Sequence, residues 1–160
     1  MTVTNVHKDP EALTMAITAE FDAPVDRVWE TWANPRLLER WWGPPTYPAT
    51  FIEHDLSVGG RATYYMTGPE GDRPHGWWRM TVVEAPHRLE FEDGFADEKG
   101  APSETMPVMV MRVTLIERPT GGTQMDIVTT FSSREAMEQI MAMGMEEGMT
   151  SAMSQIDSLV

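Results

Sequence analysis

The chain has 160 residues, no cysteine, 14 methionines and 6 tryptophans, and its 25 acidic against 12 basic side chains give a formal charge of −13. A chain of this length defaults to one domain that buries about 68–70% of its unfolded surface, so neither disulfide nor metal is needed to hold it together. The missing cysteine excludes disulfide scaffolds, thiolate zinc sites and cysteine nucleophiles, and the negative charge argues against nucleic-acid and membrane surfaces, which need the opposite field.

No run approaches the roughly 18 apolar residues of a membrane span, and the N-terminus lacks basic-then-apolar signal character, so the chain reads as soluble, unexported and cytoplasmic. Residues 1–13 read as a flexible leader and 14–160 as a single domain. The segment 95–105 reads as a polar loop, too short to separate domains.

In chain order, Met15, Ile17, Ala19 and Phe21 alternate as in a half-buried strand. Pro24 opens a helix carrying Val25, Val28, Trp29 and Trp32 at helical spacing, and Asn34-Pro35 stops it. A second short helix over 35–42 ends at Gly43-Pro44-Pro45. Strand patterns follow over 50–56, 61–67, 76–83, 88–92, 108–117 and 124–131, separated by turn signals that include Gly59-Gly60, Asp93-Gly94 and Pro119-Thr120-Gly121-Gly122.

Phase assigns an inward face to each strand. It holds Ile52, His54 and Leu56, then Ala62, Tyr64 and Met66, then Trp78, Met80 and Val82. Leu89 and Phe91 follow, with Met109, Met111, Val113 and Leu115, and finally Met125, Ile127, Thr129 and Phe131.

The segment 133–160 predicts one long amphipathic helix of about 40 Å. Met137, Met141, Met145, Met149, Ala152, Ile156 and Leu159 share its apolar face. Gly144 and Gly148 also fall on that face, where something is expected to approach the backbone. Glu146 and Glu147 fall on the solvent side and serve solubility. The whole order implies an α+β architecture in which a curved antiparallel sheet of about six to seven strands wraps a long C-terminal helix, leaving room for a pocket between them.

Phe21-Asp22-Ala23-Pro24, Val28-Trp29, Trp32, Asn34-Pro35 and Trp41-Trp42-Gly43-Pro44 carry a family likeness. Further matches are 55–61, 76–89 and the terminal Gly148-Met149…Met153-Ser154-Gln155-Ile156. In this order the motifs resemble the SRPBCC superfamily, with its START or Bet v 1-like helix-grip fold. The branch they resemble is the activator of Hsp90 ATPase homologue type. Gly148-Met149 departs from the Gly-Trp often found in the family. The resemblance implies a cavity for hydrophobic ligands such as lipids, polyketides or hormones. Some members act as cyclases, and the eponymous branch stimulates a chaperone ATPase, a stress-response role. Fold alone does not choose among these.

The methionines read as part core, part soft pocket wall able to re-pack around ligands. Met141, Met145 and Met149 form the helix side of that wall, and Met66, Met80, Met109, Met111 and Met125 the sheet side, with Phe91 and Ile127. Trp42 sits at the mouth and Trp78 faces inward. His54 and Tyr64 supply polar contacts, although an inward histidine is more often a satisfied structural group. Met141 and Met143 diverge on a helix, which sets aside a thioether copper site. Met143, off the apolar face, is either harmless or a homodimer patch.

No nucleophile elbow, phosphate loop or zinc motif is present, and neither cofactor nor metal is called for. The reading is therefore non-enzymatic binding of a hydrophobic or aromatic small molecule under the last helix. Two alternatives stand beside it. One is a chaperone partner whose ATPase is stimulated, and the other is a cyclase or dehydratase using His54 as acid or base.

Overall fold

The structure is a computed structural model that describes residues 2–160. Its elements are β1 (Thr2–Asp9), β2 (Thr14–Phe21), α1 (Val25–Ala33), α2 (Pro35–Leu38), β3 (Ala49–His54), β4 (Arg61–Met66), β5 (His75–Glu84), β6 (Arg88–Ala96), β7 (Met109–Glu117), β8 (Thr123–Thr130), α3 (Arg134–Ala142) and α4 (Met145–Met153), then a terminal 3-10 turn (Ile156–Leu159). The strands form one 8-stranded sheet in the order β1-β2-β8-β7-β6-β5-β4-β3, with every described neighbour antiparallel. The α+β architecture expected from the sequence is therefore present, and the helix-grip description fits it broadly.

Uninterrupted strands keep the expected phase. Met15, Ile17, Ala19 and Phe21 are buried on β2, Met109, Met111, Val113 and Leu115 on β7, and Met125, Ile127 and Thr129 on β8. Onto this face α1 turns Val28, Trp29 and Trp32. Asn34 then caps α2, its side chain accepting from the Arg36 backbone N–H at 2.9 Å, with Pro35 in the first turn. From α2, Arg36 donates to the Phe51 carbonyl at 3.0 Å, and Glu39 accepts from the Phe51 N–H at 2.7 Å. These bonds cover part of the free edge of β3, which would otherwise present unpaired backbone groups.

Several expectations are corrected. The strand count is 8 rather than six or seven, because the supposed leader contributes β1, paired along β2; Met1 of that leader lies outside the described residues. An edge strand of this kind lacks an apolar period, since Thr4, Asn5, His7 and Lys8 are exposed. The second helix is only Pro35–Leu38, continued by turns to Trp42.

In β3 the phase shifts at a bulge. Phe51 pairs with Tyr64 and Glu53 with Thr63, leaving Ile52 as the extra residue. Phe51 is accordingly buried and Ile52 is 62% exposed, the reverse of the expectation. A similar irregularity between Met80 and Val82 places Val83, rather than Val82, opposite Leu89 and against the core. β6 also runs on through Asp93-Gly94 to Ala96 instead of turning there. A Cβ on Gly94 would lie 2.6 Å from the Trp77 indole, so that glycine admits a ring across the strand.

The long C-terminal helix is two helices. Gly144 adopts φ 86°, its N–H bonding back to the Met141 carbonyl at 3.0 Å, while the Gly148 N–H reaches the Gly144 carbonyl at 2.8 Å to begin α4. Glycine is the residue that takes the left-handed conformation without a Cβ penalty, so α3 ends there. Glu146 is also not a simple solvent group: it pairs with Lys8 of β1 at 2.7 Å.

Gly144→Ala should cost about 1 kcal/mol, read as a lower denaturation midpoint in urea. A stabilised variant would instead mean that α3 and α4 are continuous in solution, where alanine favours the helix.

Candidate functional site

A cavity of about 240 Å³ lies between the sheet and the helix pair, with β4, β6, β7, α3, α4 and the turn after α2 all contributing. Its wall is rich in methionine: Met66, Met109 and Met111 from the sheet side, and Met143, Met145 and Met149 from the helix break and α4. Thioethers are apolar, polarisable and mobile about three torsions, so such a wall adapts its shape. Gly148 also lines the space, and a Cβ there would meet nothing within 4 Å. The room expected beside that glycine is thus open volume rather than a close-packed backbone. A second recess of about 100 Å³ adjoins the first and shares Tyr64, Met66, Asp93, Phe95 and Met109 with it.

The polar end is built from Tyr64 and Asp93. Asp93 continues the inward phase of Leu89 and Phe91 along β6 and stands opposite Trp78 on β5 and Met109 on β7. Tyr64 lies across Gly76, where a Cβ would come within 2.4 Å of its hydroxyl oxygen, and that hydroxyl donates to Asp93 Oδ1 at 3.3 Å. Burial pushes the Asp93 carboxyl from its ordinary 3.8 up to about 7, against the Tyr64 hydroxyl and the Trp78 indole, which favour the ionised form. Burial, then the charge of Asp93, pushes the Tyr64 phenol well above its ordinary value. The Trp42 indole N–H lies near enough to influence Tyr64, and the Trp78 indole N–H both Tyr64 and Asp93, yet both fall outside hydrogen-bond geometry and are buried without partners.

Of the residues singled out from sequence, the cavity brings together Trp42, Tyr64, Met66, Met109, Met111, Met145 and Met149. Trp78 and Phe91 lie behind its polar end, stacked on one another at 4.1 Å, and Met80, Met125 and Ile127 are fully packed core rather than wall. Met141 is half-buried against the core and does not line the space.

His54 does not line it either. Its Nε2 is 2.9 Å from the Trp32 carbonyl, which only accepts, so Nε2 carries the proton and donates. Its Nδ1 is buried without a partner. The histidine thus ties β3 to α1. Asp93 was missed because Asp93-Gly94 resembles a turn; the signal was the alternation Leu89, Phe91, Asp93. Among the described residues no group of three or more histidines and carboxylates could hold a metal, and no described helix is long and apolar enough to cross a membrane.

The family described as Activator of Hsp90 ATPase homolog 1-like protein matches residues 22–160. The chain belongs to that family. Within the wider fold it is similar to a protein from Arthrobacter aurescens solved by NMR, at 56% identity and TM-score 0.93, covering 99% of this chain and 91% of that one. It is also similar to the crystal structure of protein Ms6760 from Mycobacterium smegmatis, at 49% identity and TM-score 0.92, covering 99% and 97%. The AHSA1 protein from Silicibacter pomeroyi, at 20% identity and TM-score 0.70 over 91% and 95%, shares the fold. Comparison with curated proteins found no match. Membership of the activator of Hsp90 ATPase homologue-like family is consistent with the SRPBCC resemblance and leaves the activity to be argued from the cavity.

Asp93 gives that cavity a thermodynamic signature. Its folded value, about 7, lies above the unfolded 3.8, so the native state holds the extra proton between those limits. Stability should therefore fall as pH rises from about 4 to 7 and stay reduced above, by on the order of 4 kcal/mol at most. Asp93→Asn should remove that fall, raising stability at pH 8 far more than at pH 4 in urea titrations. An equal change at both values would contradict the buried carboxyl.

Proposed function

We propose that this protein binds a hydrophobic or aromatic small molecule in the cavity between the sheet and the C-terminal helices. The observation that carries the reading is an apolar, methionine-walled space of about 240 Å³ with a few polar groups gathered at one end. That combination is the usual composition of a small-molecule site. An apolar cavity of about 150 Å³ takes up benzene, and drug-sized pockets begin near 300 Å³. A ligand of one or two rings is therefore the matching size.

The binding reading is favoured over the cyclase alternative on a specific ground, and an experiment separates it from the chaperone alternative. Cyclase or dehydratase chemistry through His54 needs that imidazole to face the ligand, whereas it hydrogen-bonds the Trp32 carbonyl away from the cavity lining. Stimulation of a chaperone ATPase is carried by the family description. A dose-dependent rise in Hsp90 ATPase activity on adding this protein would support it in place of ligand binding.

Gly148→Leu tests the cavity directly. Because a side chain at 148 enters open space, the variant should keep or raise its melting temperature, leucine being a better helix former by about 0.8 kcal/mol. It should weaken binding of prodan, a neutral naphthalene fluorophore, by about tenfold or more. Unchanged prodan affinity in a folded Gly148→Leu protein would remove the cavity as the binding site.

A further inference from the structure

The polar end of the cavity holds more hydrogen-bonding capacity than the protein itself uses. Asp93 is only 6% exposed, and among the described residues the one side-chain hydrogen bond to it comes from Tyr64, to Oδ1 at 3.3 Å. No described ion pair includes it. The Trp42 indole packs edge-on against Trp78 at 4.7 Å and against Tyr64 at 6.3 Å, and both indole N–H groups are buried without a partner. Trp42, Tyr64 and Asp93 all line the same cavity. Native proteins leave few buried donors and acceptors unpaired, and such groups call for a specific reason.

We infer that the cavity's ligand carries a phenolic hydroxyl, which donates to the Asp93 carboxylate oxygen left free by Tyr64 and accepts from the Trp42 indole N–H. The inference rests on the cavity being the ligand site, and adds to it the chemical class of the ligand. A hydroxyl is the small group that both donates and accepts. Above pH 7, where Asp93 is ionised, a ketone accepts only and brings no donor for the carboxylate. An ammonium donates only and leaves the indole N–H unpaired. A carboxylate ligand would meet Asp93 as a like charge in an apolar setting, within a chain of net charge −13.

The rest of the cavity suits an aromatic ring behind that hydroxyl. Phe95, Trp42 and the methionines offer apolar and thioether contacts to a ring face and edge. Burial holds the Asp93 carboxyl near the point of ionisation at neutral pH, so a donor arriving with the ligand favours the carboxylate. The long Tyr64–Asp93 bond leaves the tyrosine in place as an orienting group rather than as the partner that saturates the acid.

Calorimetric titration at pH 8, where Asp93 is ionised, with β-naphthol, with its methyl ether and with naphthylmethylamine separates these readings. The wild-type protein should prefer β-naphthol to the ether by about tenfold or more, as a hydrogen bond to a charged group gives. In Asp93→Asn the preference should fall to about threefold or less, while the ether binds both proteins alike. Trp42→Phe keeps a ring and removes the N–H, and should lower the preference by about threefold. That variant carries the test should Asp93→Asn fail to fold. Equal affinity of wild type for β-naphthol and its ether would overturn the phenol assignment and leave the cavity reading standing. Tighter binding of the naphthylmethylammonium ion would overturn it in favour of a cation. Failure of all three compounds to bind would overturn the inference together with the cavity reading beneath it.

Discussion

Trp32 reaches from α1 into the concave face of the sheet and meets Trp41 at 4.7 Å, Trp42 at 5.8 Å, and Trp78 and Phe91 at 6.2 Å. Its N–H contacts the Met125 sulfur at 3.4 Å, the Trp41 N–H donates to the Thr31 carbonyl at 2.8 Å, and His54 donates to the Trp32 carbonyl. Aromatic pairs of this kind contribute about 0.5–1.5 kcal/mol each beyond their buried area. The cluster fixes the α1–α2 segment against β3, β5 and β6, and everything placed beyond it depends on that wedge. Gln155, past the end of α4, donates to the Gly43 carbonyl at 2.7 Å, so the C-terminal segment is registered on the same wedge.

The wedge fills one part of the concavity with rigid rings, while the neighbouring part is roofed by α3, α4 and the glycine between them. Rigid indoles pack densely, whereas flexible thioethers around Gly144 and Gly148 do not complete the filling. The cavity is therefore the volume left between two kinds of packing. Its polar end lies at their junction, where Trp42 and Trp78 belong to the wedge and Tyr64 and Asp93 reach toward the open side. A buried acid with little support destabilises the native state as it ionises. A site that retains such a group is expected to use it on something other than folding.

Much of this was legible in the sequence wherever a strand runs without interruption. On β2, β7 and β8 simple alternation identified the buried face, and helical spacing on α1 identified Trp29 and Trp32 as core. Legibility failed at single-residue irregularities. One extra residue at Ile52 inverts the face of β3, and another beyond Met80 exchanges Val82 for Val83. The edge strand β1 has too little apolar contrast to register as a strand. Asp93 was hidden by its neighbour: an Asp-Gly pair carries turn chemistry, yet here the glycine makes space for the Trp77 ring and the strand continues. The methionine-rich C-terminal face was read correctly as apolar. Its division into two helices follows from the left-handed conformation at Gly144, which a helical wheel does not represent.

The central claim is that the methionines lining the cavity form a ligand-responsive wall while Met15, Met80, Met125 and Met153 are fixed core. Methionine-methyl NMR of the protein titrated with naphthalene tests this most directly. The account predicts chemical-shift changes at Met66, Met109, Met111, Met145 and Met149, which line the cavity. It predicts little change at Met15, Met80, Met125 and Met153, which are at most 1% exposed and lie outside it. Shifts spread evenly over both groups, or none at saturating naphthalene, would contradict it.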